Sequence, residues 1–303
     1  MRRKKSFGLV LPKDMPLFDR LAKQARHMLH LLTATIARGK RPPVVLVYPD
    51  VPSRRSALHK ICRALQWELT NEERTNPVLC MRFEDETEKE TPMPLWFDSL
   101  STPLWNRRCL DIRKSTLEKA HVKTFGYGMS VDPLEHHGKM VEKSDFNAKH
   151  DGQIIQGPIK ANRVQGDSVY QVDIDNTDEN GKRFDFRLVF IKNSLPLAYK
   201  KVKAAENRFT NVCESASIFN IDAATTPSER QCILKLMKAL NVDYAELDAL
   251  RDAQTDKLFI IDVNPTPWGP PAELPTSDHR EAIRVMSEAF CQALYPMHQV
   301  KKL

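Results

Sequence analysis

The chain has 303 residues, enough for two ordinary domains or one large one with a full core. Lys and Arg number 46 against 39 Asp and Glu, a formal charge of +7. Hydrophobic residues at 41% and charged residues at 28% exclude a disordered or fibrous chain, and 20 prolines against 10 glycines exclude a collagen-like one.

No window of about 18 apolar residues occurs, so no membrane span and no membrane partner is expected. Met1-Arg2-Arg3-Lys4-Lys5 has the charge of a signal-peptide start, but the apolar stretch after it is too short and lacks a cleavage site. A cytoplasmic location is the expectation. The cysteines Cys62, Cys80, Cys109, Cys213, Cys232 and Cys291 form no C-x-x-C pair, which fits reduced thiols.

In chain order, Leu17, Leu21, Met28, Leu31, Leu32 and Ile36 recur at helical spacing and predict a long helix over 14–39, stopped by Pro42-Pro43. Val44 to Tyr48 reads as a buried parallel strand, 53–69 as a helix, and Pro77 to Phe83 as a second strand. The acidic segment Glu84 to Glu90 reads as a solvated loop. This alternation predicts a small α/β domain, without G-x-G-x-x-G or P-loop motifs.

The second half changes character. Met140 to Lys143 and Gln153 to Ile155 flank the polar loop Ser144 to Gly152 as strands flank a hairpin loop. Val169 to Ile174 alternates, and Phe184 to Ile191 leads through Asn193-Ser194 into the next strand. Thr226-Pro227-Ser228-Glu229 is a capping box with proline at the first helical position. Strands over 243–251 and 257–263 are joined by the turn 252–256, and a last helix runs over 277–294.

Chemistry concentrates on the last two strands. Asp262 and Asn264 lie two apart and share one face, and the short turn places Asp248 near Asp262. Crowded carboxylates repel, and a hard cation held by Asp248, Asp262 and Asn264 with phosphate oxygens removes that conflict. Edge-strand acids paired with nearby lysines are the alternative. Lys143 ends an apolar strand before a loop with Ser144, Asn147, His150 and Gly152, which can present an ammonium and N–H groups to phosphates. Arg187 lies among aromatic and branched residues and needs an anionic partner.

Taken in order, these features resemble the ATP-grasp superfamily over roughly 105–275. Asp111-Ile112-Arg113-Lys114 resembles the segment with the first ATP lysine, Met140-Val141-Glu142-Lys143 the strand with the second, and Ser168 to Ile174 the hinge that meets the adenine edge. Glu246-Leu247-Asp248 with Asp262-Val263-Asn264 resembles the paired-strand magnesium site, with Asp262 where glutamate is commoner. Asp185-Phe186-Arg187 is similar to a D-x-R whose arginine faces the transferred phosphate, and Lys200 to Asn211 resembles a stretch that supplies a further cation.

The resemblance implies a mixed α/β and α+β chain: a small Rossmann-like domain over 1–104, one ATP-grasp subdomain over 105–180, and a second over 181–303 ending in a helix. It implies catalytic Arg187, Lys201 and Arg208, and metal ligands Asp248, Asp262 and Asn264. Nucleotide contacts would come from Lys114, Lys143, Ser144, Asn147, Gly152, Gln171, Val172 and Asp173. The implied cofactors are ATP and Mg²⁺. The implied activity is a ligase that converts a small-molecule or peptide carboxylate into an acylphosphate for attack by an amine, releasing ADP. An ATP-grasp kinase is the alternative, and a non-enzymatic anion or nucleic-acid binder using the basic termini is the remote one; a nucleic-acid partner is not expected. Homodimers are common among similar enzymes, though no sequence feature marks one here.

Overall fold

The computed structural model describes residues 9, 11, 15–74, 76–97, 100–178, 181–204, 209 and 212–295. Its first part carries α1 (Leu17–Arg38), β1 (Val44–Pro49), α2 (Ala57–Ala64), β2 (Glu68–Thr70), β3 (Leu79–Phe83) and β4 (Leu104–Trp105). The four strands form an all-parallel sheet in the order β2-β1-β3-β4. Val45, Leu46, Val47, Leu79, Cys80 and Met81 are all buried, because such a sheet is covered on both faces.

The expected helix over 53–69 is shorter than its apolar spacing suggests. It ends at Ala64, Gln66 takes a left-handed φ of 56°, and the chain turns into β2. Pairing of Glu68, Leu69 and Thr70 with β1 wins over continued helix. The face of α1 is also reversed from expectation. Phe18, Leu21, Leu32 and Ile36 lie 59–81% exposed, while His27, His30 and Ala34 are buried. His30 meets the Trp67 carbonyl at 2.8 Å, and that contact orients the helix.

A middle part follows: α3 (Lys114–Phe125), β5 (Gly138–Ser144), β6 (Gln153–Gly157) and β7 (Ser168–Val172), the strands forming an antiparallel sheet in the order β6-β5-β7. The last part holds β8 (Arg183–Ile191), β9 (Ser194–Lys203), β10 (Ser215–Phe219), α4 (Ile221–Ala224), α5 (Pro227–Ala239), β11 (Tyr244–Arg251), β12 (Leu258–Asn264) and α6 (Thr276–Leu294). Its antiparallel sheet runs β10-β9-β8-β11-β12. The capping box forms: Glu229 N–H donates to Thr226 Oγ1 at 3.2 Å, and Thr226 N–H to Glu229 Oε2 at 2.8 Å.

The C-terminal helix joins first part to last. Ala282, Met286 and Phe290 of α6 share one core with Val45, Leu58 and Met81 on one side and Val189, Leu197 and Tyr199 on the other. Phe290 meets Trp105 edge-on at 5.1 Å. Burying such side chains contributes about 1.5–3 kcal/mol each, and here it fixes one sheet relative to the other. A second core lies between α3, α5 and the opposite face of the five-stranded sheet. Among the described residues, no helix is long and apolar enough to cross a membrane.

Candidate functional site

The cleft lies between the three-stranded sheet and the face of the five-stranded sheet that carries β11 and β12. The turn 252–256 sets their register: Glu246 opposes Asn264, Leu247 opposes Val263, and Asp248 opposes Asp262. Beyond Asp248 the pairing jumps to Ala249 opposite Ile260, so Ile261 is an extra residue on β12. As a result both Ile261 and Asp262 line the cleft, with Asp248 and Leu250 beside them.

The two acids are not equivalent. Arg187 on β8 stands opposite Asp248 and grips it with two bonds, Nε to Oδ1 at 2.7 Å and Nη2 to Oδ2 at 3.0 Å. Burial alone would raise the Asp248 carboxyl, but Arg187, with Lys201 and Lys203 behind it, holds it well below the usual range. Asp262 has no such clamp. Burial and then the Asp248 charge push its carboxyl up, against the pull of Lys114, Lys143 and Arg187. Its Oδ1 is buried and has no hydrogen-bond partner among the described residues. A buried carboxylate oxygen left without a partner is costly, and a cation at that atom would remove the cost.

The cations arrive from the other wall. Helix α3 begins against the hairpin loop: Asp145 accepts from Ser115 N–H and Oγ, each at 2.7 Å, and its carbonyl accepts from Lys114 N–H at 3.0 Å. That cap from across the cleft brings Lys114 Nζ to the Phe146 carbonyl at 2.8 Å and Asn147 Oδ1 at 3.2 Å. Burial lowers the pKa of this ammonium, while Asp262, Asp145 and Asp151 raise it. Lys143 lines the same cleft from the end of β5. The loop is held further by Asn147 N–H to Thr87 Oγ1 at 3.0 Å and Ser144 N–H to Asp151 Oδ1 at 3.1 Å.

The acidic segment 84–90 is solvated at Asp85, Glu86, Glu88 and Glu90, as expected, but it is anchored at three points. Glu84 is buried on Arg82 at 2.6 Å, Lys89 is buried, and Asp85 Oδ1 accepts from Thr266 Oγ1 at 2.6 Å, just past β12.

Of the sequence-derived candidates, Lys114, Lys143, Asn147, Gly152, Gln171, Val172, Asp248 and Asp262 line this one cleft. Ser144, Asp173, Arg187, Lys201 and Asn264 do not. Ser144 Oγ accepts from Phe146 N–H at 3.2 Å, as a loop-forming group, and Lys201, on β9, is buried. The Asn264 amide oxygen accepts from Thr266 N–H at 2.9 Å. Arg187, expected to face a phosphate, spends its charge on Asp248 and stands 3.8 Å from Glu246. Arg208 lies outside the described residues, although Phe209 beside it lines the cleft.

Several further residues line the cleft. Lys203 pairs with Asp185 at 2.7 Å, and Asp185 also accepts from Asn176 Nδ2 at 3.1 Å, closing one end of the cleft. Ile174, Leu250 and Ile261 join Val141 and Val172 as an apolar lining at the hinge end. The signal for Ile261 was the apolar phase of β12, which alternation cannot track through a bulge. Phe209 packs on Gly152, where a Cβ would come 2.5 Å from the ring. The cleft is open to solvent on one side and holds about 190 Å³.

No family model and no curated protein matches the chain. Among solved structures it is similar to D-alanine–D-alanine ligase from Bacillus anthracis complexed with ATP, at 12% identity and a TM-score of 0.51 over 86% of this chain and 98% of that one. It is similar to VanG D-Ala:D-Ser ligase from Enterococcus faecalis at 9% identity and a TM-score of 0.53, covering 84% and 100%. A third is the ATP-grasp ligase PsnB complexed with minimal precursor, Mg and ADP, at 11% identity and a TM-score of 0.53, covering 83% and 98%.

Proposed function

Because the chain has the ATP-grasp fold, we propose that it is an ATP-dependent ligase which activates a carboxylate and joins it to an amine, releasing ADP. One observation carries this reading: Asp248 and Asp262 stand opposite each other in a cleft whose other wall holds Lys114 and Lys143. Acids for a metal and ammonium groups for phosphates, brought together from distant parts of the chain, suit a nucleoside triphosphate.

In this reading the adenine lies on Val141, Val172, Ile174, Leu250 and Ile261, with its edge toward the backbone of Gln171, Val172 and Asp173. Lys114, Lys143 and the loop through Ser144, Asn147 and Gly152 take the phosphates. Asp248, Asp262 and Asn264 would hold Mg²⁺, which supplies charge neutralisation and phosphate alignment when bound. The unpartnered Asp262 oxygen fits that donor set. Arg187 acts by keeping Asp248 ionised and in place, and Lys201 and Arg208 add positive charge toward the transferred group.

The substrate carboxylate oxygen attacks the γ-phosphorus, the bond to ADP breaks, and an acylphosphate forms. The amine then attacks the acyl carbon, phosphate leaves, and the amine gives up its proton. No side chain need act as nucleophile, so the protein contributes positioning and electrostatics.

Calorimetry tests the reading directly. ATP with Mg²⁺ binds the native chain, and Asp262→Ala and Lys143→Ala each lose that binding; unchanged affinity in both refutes it. Hydroxylamine trapping with candidate acids separates ligase from kinase, because an acylphosphate yields a hydroxamate and a phosphate ester does not.

A further inference from the structure

A second cavity, of about 720 Å³, lies between α1, α2 and the loop 51–54, lined on different residues from the nucleotide cleft. Lys23 and Arg26 approach from α1, Arg54 from the loop, and Lys60 and Arg63 from α2, and no Asp or Glu is among the lining residues. Lys23, Arg26, Arg54 and Arg63 have no ion-pair partner among the described residues. Like charges collected around one cavity repel, and an anionic ligand relieves that repulsion.

One imidazole at the cavity responds to this field: His59 is pushed down to about 4, first by burial and then by Arg63, His30, Arg54 and Lys60. His27 is also pushed down to about 4, by burial and then by His30 and Arg74. His27 is 9% exposed and lines the cavity, yet its Nε2 has no hydrogen-bond partner among the described residues. A buried polar nitrogen with nothing to bond is a group waiting for a ligand atom. Between the cations the wall is apolar, with Val51, Trp67, Leu69 and Ile283.

We propose that this cavity binds an acidic peptide segment. Five cations from three separate elements exceed the charge of one small anion, and several carboxylates along a peptide match that number. The apolar wall between them asks for an apolar side chain in the same ligand. Helix α2 is tied to the loop after β12: Lys60, one of the cavity's walls, donates to the Gly269 carbonyl at 3.0 Å, and Ala57 N–H donates to Pro267 O at 2.9 Å. The proposal concerns binding and stands independently of the ligase reading.

The test uses calorimetry on the full chain with a capped hexapeptide of four glutamates and two leucines. Its glutamine counterpart, citrate and a single-stranded hexanucleotide serve as the other probes. The glutamate peptide binds tightest, and the double variant Arg26→Gln, Arg63→Gln weakens it by about tenfold or more, the value of one charge-assisted contact. Both arginines are exposed, and an unchanged melting temperature of the variant shows that it is folded. Lys23→Gln, a second variant, weakens the peptide in the same direction. Equal binding of the glutamine peptide, citrate or the oligonucleotide binding as tightly, or no effect of the variants overturns the proposal. Failure of the native chain to bind ATP would instead count against the ligase reading and leave the peptide result standing.

Discussion

Asn106 and Asp243 exchange hydrogen bonds in both directions: Asn106 N–H donates to Asp243 Oδ2 at 2.7 Å, and Asp243 N–H donates to Asn106 Oδ1 at 2.7 Å. Asn106 also brackets Tyr244, accepting from its N–H at 3.0 Å and donating to its carbonyl at 2.8 Å. One buried amide just past β4 thereby fixes where β11 begins. Its φ of 53° is a left-handed conformation that asparagine tolerates better than most residues.

Asn106→Ala leaves the Asp243 and Tyr244 backbone groups without partners and adds backbone strain. A loss of about 3 kcal/mol is expected, at the upper end for single substitutions. The denaturant midpoint measures it, and an unshifted midpoint would mean that the amide does not hold the two sheets together.

Removing one partner of the Arg187–Asp248 pair strands the other. A fully buried pair costs about 3–5 kcal/mol to break in this way. These side chains keep 21% and 23% exposure, so about 2 kcal/mol is expected for Asp248→Ala. Arg187→Lys, which cannot grip both oxygens, should fall between that variant and the native chain in thermal melting.

The acids respond to pH with opposite signs. Asp248 is depressed in the folded chain, so its stabilisation is present above the ordinary carboxylate pKa and fades as pH falls through the folded value. Asp262 is raised, so its contribution is greatest in acid and is lost as pH rises through the folded value. A bound cation cancels that second loss. Added Mg²⁺ with nucleotide should therefore raise the melting temperature more at about pH 8 than at about pH 5. An equal increment at both would exclude Asp262 as the responsive group.

Gly269 lies against Glu246, where a Cβ would stand 1.9 Å from Oε1. Glu246 is buried, with neither carboxylate oxygen hydrogen-bonded among the described residues, and burial raises its pKa. Gly269→Ala must displace a side chain that packs beside Arg187, and overpacking of this kind costs about 2 kcal/mol. The substitution should also weaken nucleotide binding through Arg187, read by comparing calorimetry with melting.

Lys114→Met should lower ATP affinity by about 30-fold, as expected when a charge-assisted phosphate contact is lost. Because Lys114 also anchors the Phe146 carbonyl, faster amide exchange over 145–150 should accompany the loss. Normal affinity with normal exchange would place the lysine outside the binding surface.

What the sequence made legible was local. The capping box at Thr226, the turn 252–256 and the pairing of Asp248 with Asp262 follow from neighbours along the chain. The clamp of Arg187 on Asp248 joins strands separated by two other strands and two helices, and no periodicity encodes it. The same holds for Asp145 capping α3 from across the cleft. Helix α1 misled for another reason: spacing reveals that a helix has two faces, but His30 on Trp67 decides which one turns inward. β10 was missed because Ser215 to Phe219 mixes small polar and apolar residues, and it pairs as an edge with β9.

The extra residue at Ile261 has a consequence for how this chain can drift. It lets consecutive residues of one strand, apolar Ile261 and acidic Asp262, face the same cleft. Insertions in the exposed turn 252–256 leave that phase untouched. Deleting Ile261 would restore ordinary alternation with Ile260 still opposite Ala249 and Phe259 still opposite Leu250, so the one change would be the loss of the apolar side chain next to Asp262 in the cleft.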